Sequence, residues 1–244
     1  MNDAVRTFID VEAIDFARVC RQHEEYGRVL ARAGAEVITL DVNLAHADAV
    51  FIEDTAVVLD EVTILTSMGA PSRREEVTGI EAELRRRGLA KAIERLEAPA
   101  TLEGGDVLRV GRTLFVGATG RTNDAGFAAF ARIARAHGYD VRRVAVRGCL
   151  HLKTACTALP DGTMLVNPAW LNVDDLADRP LLPVAAGEPS AANVVLLGGR
   201  VIMAAAHART VELVRGRGFE VDAVDLSELA KAEGAATCLS LLVP

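Results

Sequence analysis

A short phrase recurs along this chain and limits its fold more than any other feature. GAEVITL begins at Gly34, GYDVRRVAV at Gly138 and GFEVDAVDL at Gly218. Each follows a helical pattern, and each glycine stands where a left-handed C-cap precedes an alternating strand. GLAKAIERL from Gly88 is a weaker copy, and DRPLLPVAA near Asp178 is a degenerate one. A unit of this kind cannot bury its own apolar face, so the copies must stack or close on one another.

The helices ahead of these phrases are legible from their spacing. Phe16, Val19, Tyr26, Val29 and Leu30 form one apolar stripe. Ser72 and Glu75 have the spacing of a capping box, with Val77, Ile80 and Leu84 as the buried face behind it. Phe127, Phe130, Ala131 and Ala134 form the next stripe, entered through Thr122 and Asn123. These aromatic residues belong to the core.

Paired strands precede the later helices: VFIEDTAVVLD with VTILTS, GGDVLRV with TLFVGA, LKTACTAL with TMLVN, and ANVVLLG with RVIMAA. Pro160-Asp161-Gly162 and Gly198-Gly199 supply the turns of the last two pairs. The repeating unit is therefore strand, strand, helix, strand, at a period of roughly 40–55 residues. Five third strands imply five units. The first helix lacks a strand pair before it, and the terminal CLSLLVP strand lacks a helix after it. Joining the two ends gives an α/β ring of five ββαβ units, a pseudo-symmetric propeller with both termini in one blade. Residues 1–244 form a single domain without a linker.

Composition narrows the partners. A net charge of −7 argues against nucleic acid. The basic run Arg85, Arg86, Arg87 reads as a solvated helix face. No stretch reaches the eighteen or so apolar residues of a membrane span, and the acidic start is unlike a signal peptide. The expected location is the cytoplasm, with Cys20, Cys149, Cys156 and Cys238 as reduced thiols. Their spacing matches no zinc pattern, so neither a metal nor another cofactor is expected.

Acidic residues gather where the strand pairs begin: Asp48, Glu53 and Asp54 in DAVFIED, and Glu103 and Asp106 in LEGGDVL. His151 opens the third pair, and Cys238 opens the closing strand. In a pseudo-symmetric ring, equivalent strand starts converge at one end of the axis. Carboxylates gathered there repel one another unless a cation sits among them. A cysteine, a histidine and a carboxylate brought together form a nucleophile, a base and an orienting group.

LEGGDVLRVGRTLFVGATGRTN, VFIEDTAVV, GAPSRR, LHLKTACTALPDGT and EGAATCLSLLV together resemble the dimethylarginine dimethylaminohydrolases of the amidinotransferase, or pentein, superfamily. The resemblance covers nearly the whole chain from the first helix onward. It implies the five-bladed ββαβ propeller, and a hydrolase that converts N-methylated arginines into citrulline and an alkylamine through a covalent cysteine intermediate.

Carried over by position, the resemblance makes Cys238 the nucleophile, His151 the general acid and base, and Glu103 the residue that orients the histidine. Asp54 would bind the guanidinium, with Glu53 shaping an acidic pocket beside it. Arg73 and Arg121 would clamp the α-carboxylate, and Asp48 with the carbonyl of Ala232 would take the α-ammonium. The partner implied is a small guanidine amino acid, with no nucleic acid and no membrane; a homodimer remains an open option. The family also carries a further N-terminal strand and a closing loop, and this chain begins near the end of that loop, so its first blade would lack that strand. Arginine deiminases are the nearest rivals but usually carry an inserted helical domain. Agmatine deiminases act on a substrate without the carboxylate. A non-catalytic ribosome-binding pentein has no need of cysteine, histidine and carboxylate in register.

Overall fold

The computed structural model describes Met1 and residues 3–244. The chain begins with an extended segment that leads into helix α1 (Phe16–Arg32). Asp15 caps this helix, its carboxylate accepting the Arg18 N–H at 3.1 Å. Val19, Tyr26, Val29 and Leu30 face the core as their spacing predicts. Phe16 does not: it stands at the first turn and is 66% exposed, because the core under α1 does not extend beneath that turn.

Four three-stranded sheets follow. The first contains β1 (Ala56–Val58), β2 (Val62–Leu65) and, after helix α2 (Glu76–Arg86), β3 (Ala92–Arg95). The second contains β4 (Val107–Val110), β5 (Thr113–Ala118) and, after helix α3 (Asp124–Ala136), β6 (Asp140–Ala145). A helical turn, α4 (Leu152–Ala155), opens the third sheet of β7 (Cys156–Ala158), β8 (Met164–Val166) and β9 (Leu181–Pro183). There the unit's helix shrinks to a 3-10 turn, Val173–Leu176, which is why the third repeat is the degenerate one. The fourth sheet contains β10 (Val194–Leu197), β11 (Arg200–Ala204) and β12 (Val221–Val224), with helix α5 (Ala208–Arg215) before its last strand and the short α6 (Ser227–Ala230) after it.

All four sheets share one topology. The first strand pairs antiparallel with the second, and the third pairs parallel with it, so the second is always central. In β2 every residue is buried, as expected of a strand covered on both faces. The glycines of the recurring phrase do adopt the left-handed region, with φ of +102° at Gly34, +66° at Gly88, +79° at Gly138 and +88° at Gly218. Asn123 caps α3, accepting the Gly126 N–H at 2.7 Å.

Three local expectations give way. The Ser72–Glu75 capping box does not form: Pro71–Arg73 winds into a 3-10 turn, and Glu75 takes the N-cap position without a side-chain bond. GAEVITL after α1 and the terminal CLSLLVP are not strands. In each observed sheet the central strand supplies both ladders. These two segments have no such central partner among the described residues, and backbone groups without a ladder do not hold strand geometry. Some of their apolar side chains still pack inward, Leu40 with Leu241 and Val243 against the α2 core, whereas Val37, Ile38 and Leu242 are exposed.

The starts of the strand pairs are wound rather than extended. Single helical turns occupy Ile52–Thr55, Gly104–Asp106, Leu152–Ala155 and Thr237–Leu239, and they pack against one another. Tyr26 ties α1 to this group: its hydroxyl donates to the Ala236 carbonyl at 2.8 Å and lies 2.8 Å from Ser240 Oγ. Burying such a ring contributes on the order of 1.5–3 kcal/mol, so α1 anchors the turn that carries Cys238.

Candidate active site

The convergent turns bring three titratable side chains together. His151 is the residue ahead of α4, and its Nε2 lies 2.8 Å from Glu103 Oε2 and 3.8 Å from Asp54 Oδ1. Two glycines permit this approach. A Cβ on Gly105 would stand 2.6 Å from His151 Nδ1, and one on Gly104 would stand 2.0 Å from the Glu53 carbonyl oxygen. The Gly105 N–H donates to Asp54 Oδ1 at 3.0 Å, so the same turn that admits the imidazole also holds the carboxylate beside it. Asp106 supports the assembly from behind, accepting the Leu152 N–H at 2.9 Å and the Thr119 and Thr122 hydroxyls at 2.6 Å each.

Burial works against a charged His151. The Asp54 carboxylate, the hydrogen bond to Glu103 and the charges of Asp106 and Glu103 outweigh it and lift the imidazole to about 9. Burial likewise opposes ionisation of Asp54 and Glu103, yet His151 and the neighbouring arginines hold both below the usual carboxylate range. The resting cluster is an imidazolium between two carboxylates.

Both predicted clamp arginines reach this cluster, and both are already engaged. Arg73 Nη1 pairs with Asp54 Oδ2 at 2.6 Å, its Nη2 donates to the Phe51 carbonyl at 2.8 Å, and Nε and Nη2 grip Glu76. Arg121 Nη1 lies 3.1 Å from Glu103 Oε1. Asp48 is buried and accepts the Val5 N–H at 3.3 Å; burial raises its carboxyl despite Arg73 and Arg121.

Cys238 sits in the Thr237–Leu239 turn, half-buried. Asn193 pins that turn: its Oδ1 accepts the Thr237 N–H at 2.9 Å, and its Nδ2 donates to Thr237 Oγ1 and the Lys153 carbonyl at 3.0 Å each. Burial first, then the charges of Glu53 and Asp54, push the thiol up to about 12. The protein's own groups therefore favour a neutral thiol beside a charged imidazole.

Glu53 lies behind the Cys238 turn, where its charge still acts on the thiol. It pairs with Lys153 Nζ at 2.6 Å and accepts the Thr237 hydroxyl at 2.7 Å. It lines a separate cavity of about 430 Å³ bounded by β1, β4, β7, β10 and the C-terminal segment. The reason is register: in the Ile52–Thr55 turn, Asp54 lines the smaller space beside His151 and Cys238, whereas its neighbour Glu53 lines the larger one.

The space next to Cys238 is about 20 Å³, lined by Val5, Asp48, Phe51, Asp54, Arg73, Arg121, Leu150, His151, Ala232, Glu233 and Cys238. All the residues expected at the site are there except Glu103, which supports His151 from behind, and Glu53. Sequence reasoning missed Val5, Glu233, Asn193 and Lys153. Lys153 was within reach, since LHLKT places a cation two residues after the histidine and the acids needed one. Asp54, Glu103 and His151 each offer a ligand atom within 4.8 Å of the others. All three are already engaged within the protein, Asp54 by Arg73, Glu103 by Arg121 and His151 by Glu103, an arrangement suited to holding and moving a proton.

Comparison with known proteins places this geometry. A family model described as N,N dimethylarginine dimethylhydrolase, eukaryotic, matches residues 2–157. The N(G),N(G)-dimethylarginine dimethylaminohydrolase of Streptomyces coelicolor is 41% identical over 236 residues, 96% of this chain and 90% of that one. The structure of DDAH from Pseudomonas aeruginosa, a cysteine-to-serine mutant complexed with citrulline, superposes with a TM-score of 0.91 at 32% identity, over 98% of this chain and 93% of that one. A dimethylarginine dimethylaminohydrolase in which glycine replaces a histidine, solved as an adduct with S-methyl-L-thiocitrulline, gives a TM-score of 0.92 at 31% identity, over 98% of this chain and 94% of that one.

Proposed function

This chain belongs to the N,N-dimethylarginine dimethylaminohydrolase family, and on that premise we propose that it hydrolyses N-methylated arginines to citrulline and an alkylamine, with Cys238 as the nucleophile. The observation that carries the assignment of roles is the His151–Glu103 contact of 2.8 Å, with Asp54 at 3.8 Å and Cys238 on the same small cavity.

The steps follow from the resting charges. The cationic guanidinium enters against Asp54, and its charge lowers the cost of ionising a thiol that otherwise stays protonated near neutral pH. The released proton passes to solvent. The Cys238 thiolate attacks the central guanidinium carbon, forming the C–S bond and a tetrahedral adduct. His151, already protonated and oriented by Glu103, gives its proton to the departing nitrogen, and the alkylamine leaves. The neutral imidazole then takes a proton from water as its oxygen attacks the amidino carbon. Collapse breaks the C–S bond, the remaining hydroxyl proton passes to the departing sulfur, and citrulline is freed with the thiol and the imidazolium restored.

Arg73 and Arg121 are suited to the substrate α-carboxylate, as guanidinium groups pair with carboxylates at two points. Asp48 and the carbonyl of Ala232, both on the same cavity wall, are suited to the α-ammonium. The accompanying view of the fold is a five-bladed ring: the four sheets form four blades, and α1 with segments 34–40 and 238–244 forms the fifth. Convergence of the helical turns supports it. Among the described residues no helix is long and apolar enough to cross a membrane, and we read the enzyme as cytoplasmic.

Incubation with monomethyl-, dimethyl- and unmodified arginine, scoring citrulline and the released amine, tests the activity. Citrulline with methylamine or dimethylamine is expected. Ammonia from arginine alone would move the assignment to a deiminase, and no citrulline from any of the three would remove it.

A further inference from the structure

Residue 233 has a backbone that its side chain disfavours. Glu233 has φ of +60°, the left-handed region where glycine is the default, although Gly234 stands next to it. Such strain persists only where the surroundings enforce it, and it gathers at functional positions. The surroundings here are specific. Glu233 Oε2 accepts the Thr7 N–H at 2.7 Å, and Oε1 accepts the Phe8 N–H at 2.7 Å. A single carboxylate thus grips two successive amides of the segment before α1.

That segment covers the site. Val5 lines the cavity beside His151 and Cys238, and its N–H reaches Asp48. Farther along, the segment stays docked: Arg6 Nε donates to the Lys231 carbonyl at 2.8 Å, Lys231 Nζ to the Ala13 carbonyl at 3.2 Å, and the Asp15 N–H to Glu228 at 3.0 Å. The space of about 20 Å³ holds about one water and is too small for an amino acid of arginine's size. Entry of the substrate therefore requires the lining to move, and residues 5–8, held there by hydrogen bonds, are the segment placed to swing aside, with Asp15 and its bond to Glu228 as a fixed base.

We propose that Glu233 is a positioning residue, a latch that holds residues 5–8 closed over the bound guanidine amino acid and releases them for exchange. The proposal rests on the substrate reading above. A carboxylate that accepts two amides by charge-assisted bonds adds to the closed complex without touching the reacting atoms. Its loss should weaken substrate retention and leave the chemical step largely alone.

Glu233→Gly is the discriminating variant, because glycine keeps the left-handed backbone and removes only the carboxylate. We expect KM for methylarginine to rise about tenfold, with kcat held within about twofold. Alkylation of the Cys238 peptide by iodoacetamide and tryptic cleavage after Arg6, both followed by mass spectrometry, should quicken by about tenfold as well. Glu233→Gln, with one acceptor oxygen left, should fall between, and it carries the same comparison if the glycine variant does not fold. Unchanged alkylation and cleavage overturn the latch, as does a loss confined to kcat. If the parent chain turns over no methylarginine, the substrate reading fails, while alkylation and cleavage still decide whether Glu233 holds the segment.

Discussion

Arg73 and Asp54 are bonded directly to each other, Nη1 to Oδ2 at 2.6 Å, with side chains only 6% and 4% exposed. In the proposed reaction these residues serve opposite ends of the substrate, the arginine its carboxylate and the aspartate its guanidinium. Arg121 and Glu103 repeat the pattern at 3.1 Å. The acids of the site are thus neutralised from within, the cations they require being supplied by the chain itself. Substrate binding then becomes an exchange of partners: the incoming carboxylate takes the arginines, while the guanidinium and the α-ammonium take Asp54 and Asp48, so no buried charge need be left alone.

Arg73 should matter for stability as much as for binding. Its guanidinium holds Asp54, Glu76 and the Phe51 carbonyl at once. Arg73→Met leaves two buried carboxylates without it, and breaking a buried pair from one side costs about 3–5 kcal/mol. Urea unfolding should show a loss of that size, with part recovered in the double variant Arg73→Met, Glu76→Gln. A loss below about 1 kcal/mol would mean that the pair adds little to folding.

Arg121 should instead show itself in substrate choice. It is 12% exposed and, among the described residues, Glu103 is the one carboxylate it pairs with. Losing one arm of a buried carboxylate clamp costs on the order of 2–5 kcal/mol. Arg121→Ala should therefore cut kcat/KM for methylarginine by about thirtyfold or more, and for methylguanidine, which lacks the carboxylate, by far less. Equal losses on both compounds would make Arg121 a support for Glu103 alone.

His151 links the site to the pH dependence of folding. Its folded-state value near 9 lies above the ordinary histidine value of 6.5, so the native state holds the proton more tightly. That stability is fully present below about 6.5 and is lost as pH rises through about 9. Between pH 6.5 and 8.5 the wild-type protein should lose about 2 kcal/mol by this route. His23 and His207 are pulled down by burial and act with the opposite sign, below this window. The raised thiols Cys149 and Cys238 act above it. Urea unfolding of His151→Gln across the same range should give a flat profile; a parallel decline in both proteins would assign the slope elsewhere.

The units were legible because glycine, apolar period and strand pairing all repeat. A left-handed glycine after a helix and a buried central strand leave strong local marks at Gly34, Gly88, Gly138 and Gly218. The windings at Ile52–Thr55, Gly104–Asp106, Leu152–Ala155 and Thr237–Leu239 were not, because their residues also suit strands and tertiary contact decides the matter. GAEVITL and CLSLLVP carry strand composition but find no ladder, which only the assembled fold reveals. At the site, acids, histidine and cysteine could be placed together by symmetry. What separated Glu53 from Asp54 was a side-chain direction within one short turn, and no periodic pattern encodes that. Glu233 was hidden for a similar reason, since its partners are backbone amides more than two hundred residues away in sequence.

The thiol is the decisive test of the chemistry. Among four free cysteines, Cys149 and Cys156 are buried and raised by burial, Cys156 beyond the range where a thiolate forms in water, and Cys20 lies exposed on α1. Only Cys238 borders the cavity that also holds His151 and Asp54. Cys238→Ser should abolish turnover while leaving the melting temperature within a few degrees, since the Asn193 bonds that hold its turn go to Thr237. His151→Gly removes the group that protonates the leaving amine and activates water. A substrate whose leaving group needs no proton, such as S-methyl-thiocitrulline, can still be attacked, because methanethiolate departs unaided, but hydrolysis then stalls. Intact-protein mass spectrometry should find the trapped amidino adduct, and peptide mapping should place it on Cys238. An adduct on Cys20, Cys149 or Cys156, or a serine variant that keeps more than about one per cent of activity, would return Cys238 to the role of a core residue.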